Sequence, residues 1–453
     1  MIRTVLPIDR LMAVVREGGS VKTGMDVYDR TGVLLLAGDV LVDQIRTLEG
    51  ISRSGVRRIP MARGGGLFDR SGRTIDHPDA LDLDPGAADG SSESARTSDL
   101  GARLREIKEI RQHATRVVSQ ARDCLKAALA QIRKEKGQFD VDAVRTQVKN
   151  MVSLSLEVGH PGAYVGRDLF CFDNYLYLHA VNVCATGTVV AHRFNAGFSS
   201  AVEAALWSQP SPDGLSGRFS YYLPADLDDI SLGLFLFDIG KALVPQSLLE
   251  KSTALTREER NLVRRHAYEF GPRILEANHL THPVLANMVG LHHAPIFEGE
   301  KGGYPGNHPA AEIPLYVKIC KLMDIYDAMV SRTSYRDARN PPAAATELFR
   351  TYVKKDDMLQ FLLHAFVKSI GLYPAGSIVY LKNGQMAYVL EEKGPIVIPF
   401  TDARGDRLAS PAEPFDTTTR NDLFQVDADR SIQTPKEVFD RLPEFIKTMT
   451  PPM

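Results

Sequence analysis

From about residue 160 to residue 370 the chain reads as predominantly helical, and most of its 12 histidines fall in that stretch. Apolar residues recur there at helical spacing, interrupted by a loop-like run over 208–229, SQPSPDGLSGRFSYYLPADLDD. Set into these runs are His179 in DNYLYLHAVNV, Asp238 in LFDIGK, His266 in LVRRHAYEFGPRIL, His292 and His293 in HHAPIFEGEKGGYP, and Asp324 with Asp327 in KLMDIYDAMV. Any one of them alone is more often structural. Together they bring imidazoles and carboxylates from several helices, the ligand chemistry of a hydrolytic site for Mn, Fe, Zn or similar ions. Consecutive residues on a helix point about 100° apart, so His292 and His293 are expected to reach two different places. That suits a multi-metal site better than a single ion.

The remainder of the 453 residues sorts around this block. Residues 1–62 look like a small α+β domain, with strands at Met25–Tyr28 and Val33–Leu36 and a helical pattern through Val42, Ile45 and Leu48. Residues 63–98 are rich in Gly, Ser and Asp and read as a flexible linker. Residues 99–159 form a helical connector. Its apolar stripe, Leu104, Ile107, Val117, Ala121, Leu125, Ile132, then Val144, Val148, Met151 and Val158, favours packing on the next domain and also suits a homodimer. The helical domain occupies 160–370. Over 371–453 the pattern turns to strands, Ile378–Leu381 and Met386–Leu390 around an Asn383-Gly384 turn and then Ile396–Phe400, before a tail of loop and one short helix. The expected fold is mainly α.

Hydrophobic content of 44% supports real cores, and a net charge of −2 makes no case for nucleic-acid or membrane attraction. Four dispersed cysteines without a CxxC pair read as thiols in a reducing compartment, and no signal peptide or spanning segment is evident, so a cytoplasmic setting without membrane insertion is expected.

The order and contexts of the candidate ligands resemble the HD-GYP family, a branch of the HD phosphohydrolase superfamily that hydrolyses cyclic di-GMP in bacterial signalling. Matching its pattern are His179, Asp238 with Gly240 and Lys241, Thr256 to Glu259 leading to His266, His292 with His293, the terminal Gly303-Tyr304-Pro305, and Asp324 with Asp327-Ala328. The resemblance implies one or two divalent transition metals, Fe or Mn, held by His179, Asp238, His266, His292, His293 and Asp324, with Asp238 bridging. It implies catalytic roles for Asp238 and for Lys241, which would steady charge developing on phosphorus. Gly303, Tyr304 and Arg336 would contact a cyclic dinucleotide. The N-terminal domain or the Gly-Tyr-Pro loop could engage a protein partner.

Several positions depart from that pattern. Phe237 stands where the family has a metal-binding His, Ala294 where it has Glu, and Thr333 at a basic phosphate-contacting position. The segment from His292 to Pro305 is longer than the family's, and alignment from its Tyr end sets Glu300 and Lys301 on the family's Asp and Gly. Tyr175 replaces the Glu of three-metal members, so no third metal is expected. His160, His192 and His308 are the candidate substitutes for the missing imidazole. One metal is expected at Asp238, His266, His292 and His293, while the group of His179, Asp238 and Asp324 should be weak. Two readings of different class follow: a phosphodiesterase with weakened activity, or an inactive nucleotide- or metal-binding sensor or scaffold. A third, action by protein contact without metal, fits poorly with so many retained ligands.

Overall fold

The computed structural model describes residues 2–441 apart from 24–26, 29–33, 37–39, 54–57, 63–65, 71–90, 159–174, 207–219, 252, 332–337, 393–394, 410–411, 431, 433–437 and 439–440. The chain divides into two compact units, Met1–Asp99 with Glu203–Arg218, and Leu100–Val202 with Phe219–Met453.

In the first unit, β1 (Ile2–Pro7) leads into α1 (Ile8–Arg16), followed by β2 (Ser20–Lys22), β3 (Val27–Tyr28), β4 (Leu34–Leu36), β5 (Leu41–Val42), α2 (Ile45–Arg53), β6 (Arg58–Ala62) and β7 (Gly66–Phe68). The pairings are antiparallel: β1 with β6, β2 between β5 and β7, and β3 with β4. Leu11, Val15, Leu48, Ile51 and Ile59 form its core. Two expectations change. Val42 belongs to β5 rather than to the helix, which starts at Ile45. The linker reading of 63–98 also gives way at both ends, because Gly66–Phe68 pairs with β2 and buries Leu67, and helix resumes at Ser91. A three-residue strand among glycines is invisible to a composition average.

The second unit is built on helices: α3 (Ser91–Lys134), α4 (Val141–Val158), α5 (Tyr175–Leu206), α6 (Pro224–Leu236), the short α7 (Gln246–Leu249), α8 (Arg257–Arg265), α9 (Gly271–Ala277), α10 (Pro283–Leu291), α11 (Leu315–Val330), α12 (Pro341–Tyr352) and α13 (Asp357–Ile370). Of these, α3 enters the unit at Leu100 and α5 leaves it after Val202. The stripe on α3 and α4 divides its work. Val117, Leu125, Ile132, Val144 and Met151 enter the same core as Val181, Phe194 and Leu285, whereas Leu104 and Ile107 pack on the C-terminal sheet. Fully burying such a side chain stabilises the fold by about 1.5–3 kcal/mol. α6 begins inside the segment expected to be loop. Pro224 sits in its first turn and the Asp226 carboxylate accepts from Leu223 N at 2.8 Å, so residues that read as breakers act as helix starters.

After α13 come β8 (Ile378–Tyr380), β9 (Met386–Glu391), β10 (Ile396–Pro399) and β11 (Phe415–Asp416), one antiparallel sheet in the order β11-β10-β9-β8. Gly384, at φ +90°, makes the Asn-Gly turn between β8 and β9. Side chains alternate between two buried faces, Met386, Tyr388 and Leu390 on one and Ala387 and Val389 on the other. Arg103 of α3 ties the sheet's edge through Glu391 at 2.9 Å and Asp416 at 3.3 Å.

Candidate functional site

α6 ends at Leu236 and the chain turns through Asp238 into a 3-10 turn, Ile239–Leu243. Gly240 allows this turn to sit against the backbone of His266, because a Cβ there would lie 2.0 Å from His266 O. His266 opens a π-helical turn, His266–Phe270, directly after α8, whose start is set by the Thr256–Glu259 capping box. His292 caps α10. The ring centroids of His292 and His293 lie 4.1 Å apart, and both imidazoles enter one group of ligand atoms. Within that group the two differ in what they face, His292 Nε2 lying 3.6 Å from Asp238 Oδ1 and His293 Nδ1 lying 3.8 Å from Asp324 Oδ2.

Backbone carbonyls orient the two buried rings. His266 Nδ1 lies 2.7 Å from Val263 O, and His292 Nδ1 lies 3.0 Å from Val289 O and 3.1 Å from Met288 O. A carbonyl oxygen only accepts, so each Nδ1 carries a proton and each Nε2 of a neutral ring presents a lone pair. These Nε2 atoms face each other at 3.2 Å. Asp238 Oδ1 stands 3.1 Å from the first and 3.6 Å from the second, buried and without a hydrogen bond. Three acceptors thus converge, and a buried unpaired acceptor costs about 1–3 kcal/mol, more when charged. A cation among them removes both the repulsion and the cost.

His293 completes the group: the ligand atoms of Asp238, His266, His292 and His293 all lie within 4.8 Å of one another. Burial lowers the His266 imidazole below its usual range against the pull of Asp238, and lowers His293 well below it with help from His292. Both rings are therefore neutral at pH 7, the form that ligates metal. Burial opposes the charge on Asp238, but the Lys241 ammonium, whose Nζ lies 2.5 Å from Oδ2, outweighs it and holds the carboxyl well below the carboxylate range. The donor set fits a divalent transition metal.

A second cluster adjoins the first and is organised differently. His179 of α5 donates through Nδ1 to Asp327 Oδ2 at 2.7 Å, while its Nε2 lies 2.9 Å from Asp324 Oδ1 and 3.8 Å from Asp238 Oδ2. Burial disfavours the imidazolium, yet the hydrogen bonds to Asp324 and Asp327 prevail and push His179 up to about 10. Both its nitrogens carry protons at pH 7. Asp327, which also accepts from Asn182 Nδ2 at 2.9 Å, is part of the sequence match but not of the ligand set it implies, and it is the Nδ1 partner of His179. Its spacing of three from Asp324, on one face of α11, was the available signal. Phe237 is fully buried, with its ring edge-on to His179 at 5.5 Å and to His292 at 5.0 Å.

The loop after His293 folds back on the site. Tyr304 N donates to His293 O at 3.0 Å, and the Tyr304 ring lies 4.6 Å from the His293 ring with the Arg264 guanidinium on it at 4.9 Å. Gly303 packs so closely on Pro295 that a Cβ would come within 2.8 Å. Lys241 faces Asp238 from the neighbouring turn. His192 lies 13 residues beyond His179 on the same helix, about 20 Å along its axis, and cannot substitute at position 237; His308 is not in the ligand group. Arg336, Thr333 and His160 lie outside the described residues.

Residues 224–355 match the family described as HD domain. Among curated proteins, the chain is similar to Cyclic di-GMP phosphodiesterase PA4108 of Pseudomonas aeruginosa, 29% identical over 65% of this chain and 62% of that protein. Cyclic di-GMP phosphodiesterase of Thermotoga maritima is 32% identical over 30% of this chain and 36% of its own length. The response regulator RpfG of Xanthomonas campestris, also a cyclic di-GMP phosphodiesterase, is 30% identical over 26% and 31%. The chain thus spans under two thirds of the length of each of these relatives. An HDG"Y"P protein from Bdellovibrio bacteriovorus superposes with a TM-score of 0.37 at 13% identity, over 80% of this chain and 98% of that one.

Proposed function

Because the chain is an HD-GYP-type protein carrying an HD domain, we propose that it is a metal-dependent phosphohydrolase domain that binds or hydrolyses cyclic di-GMP in second-messenger signalling, its turnover weakened by Phe237. The observation that carries the metal reading is the convergence of His266 Nε2, His292 Nε2 and the partnerless Asp238 Oδ1. The relatives named as cyclic di-GMP phosphodiesterases support the substrate class. A divalent ion held by Asp238, His266, His292 and His293 would supply Lewis-acid charge and a more acidic water. Around it, Lys241 neutralises Asp238, and Tyr304 with Arg264 offers an aromatic and cationic wall at the mouth of the site. His179, protonated on both nitrogens, would act as a cation or proton donor rather than as a ligand.

A second reading, binding without turnover, is favoured by Phe237, whose ring has no lone pair and abuts both His179 and His292. A hydrolysis assay on cyclic di-GMP with added Mn or Fe, run on the native chain beside Phe237→His, decides between them. Slow native turnover that rises in the variant is expected. No native turnover together with intact cyclic di-GMP binding would establish the sensor, and absence of both metal and nucleotide binding would sink the proposal altogether.

A further inference from the structure

His293 Nδ1 lies 3.8 Å from Asp324 Oδ2, although Asp324 is on α11 and His293 is at the root of a long loop. Lys321 lies one turn before Asp324 on α11 and is almost fully buried. Its Nζ donates to Ala294 O at 2.8 Å and lies 2.7 Å from Glu300 Oε1, with side-chain exposures of only 7% and 12% for the pair. The other carboxylate oxygen of Glu300 accepts from Ile296 N at 2.7 Å. The loop is thereby crossed from inside at three points: at the residue after His293, at Ile296 and at Glu300. Its outer end is closed by Tyr304 N on His293 O and by Gly303 against Pro295.

Ala294 and Glu300 are two of the positions at which this loop departs from the HD-GYP pattern. We infer that the Lys321–Glu300 ion pair is a latch that holds the rebuilt 294–304 loop to α11 and so positions His293 and Tyr304 against the metal group. In its metal part the inference rests on the proposed function; in its loop part it does not. A buried ammonium with one carbonyl and one carboxylate partner is satisfied only while the loop is closed, and removing one partner of a buried pair leaves the other unpaired. Lys321 and Glu300 are positioning residues, since neither belongs to the ligand group.

The test uses the full chain with Lys321→Met, which keeps the aliphatic stem and deletes the ammonium, and Glu300→Gln, which keeps the hydrogen-bonding shape and deletes the charge. Hydrogen exchange is followed at the Ile296 and Tyr304 amides, and Mn2+ is titrated by calorimetry with electron paramagnetic resonance of the bound ion. Lys321→Met should speed exchange across 294–304 by at least about tenfold while the amides of α11 stay protected, and should raise the Mn2+ Kd by about 10–100-fold, the range for losing a group that orients a ligand. Glu300→Gln should move both readouts the same way by less. Unchanged loop exchange in the folded variants would overturn the latch. So would a loosened loop with native Mn2+ affinity and an unaltered spectrum. Should the native chain bind no Mn2+, the functional proposal falls, and the latch is then judged on loop exchange alone, where loosening upholds it and native protection refutes it.

Discussion

The two clusters around Asp238 use the same residue types, imidazole and carboxylate, and have opposite electrostatics. At His266 and His292 the Nδ1 protons go to backbone carbonyls, leaving two lone pairs aimed at an unpartnered carboxylate oxygen. At His179 both nitrogens meet carboxylates, so the ring is held as a cation by Asp324 and Asp327. One cluster needs a cation; the other already contains one. A set of histidines and aspartates is thus ligand-competent according to what their far sides touch.

The sharpest way to break this contrast is Asp238→Ala. It removes the carboxylate whose two oxygens face the two clusters, so Mn2+ affinity should fall by more than about 100-fold, since even outer residues cost about 10–100-fold; calorimetric titration showing a tight site in the variant would refute the assignment. Phe237→His comes next. An imidazole between His179 and His292 should raise the count of tightly held Mn2+ from one to two per chain, read by metal analysis after desalting, and two ions in the native chain would erase the distinction between the clusters. Tyr304→Leu should leave the metal count alone and weaken cyclic di-GMP binding by roughly tenfold, within the range of about 1–3 kcal/mol for an aromatic stacked on a base. Equal affinity in an equilibrium binding assay would remove Tyr304 from the ligand's path.

The smallest effect concerns pH. His179 is raised from 6.5 to about 10 in the folded chain, so its contribution to the stability of the metal-free protein is complete below about pH 6.5 and is lost as pH rises through about 10. Asp327→Asn should therefore lower the melting temperature of chelator-treated protein by about 2–4 °C per kcal/mol lost, more at pH 6 than at pH 10. An equal drop at both would show that the carboxylate supports packing and not the imidazolium.

Much of this was legible in the residues themselves. The helical spacing over 160–370, the Asn383-Gly384 hairpin, and the order of His179, Asp238, His266, His292, His293 and Asp324 are local properties, read from periodicity, turn chemistry and residue type. The strand at Gly66–Phe68 was not, because its pairing with β2 lies more than forty positions away in the chain. Nor was the convergence of His292 with His266, which lies 26 residues earlier in the chain.

By itself the sequence determined which donors are present and that helices carry most of them; only the tertiary structure decided which lone pairs are bare. Proton placement on an imidazole follows from the acceptor met by its other nitrogen, and for His179 that acceptor, Asp327, lies 148 residues away. The same holds for Phe237, Lys321 and Glu300. Their types were plain from the start, but contact between distant elements made the first a wall between two imidazoles and brought the other two together as a buried pair.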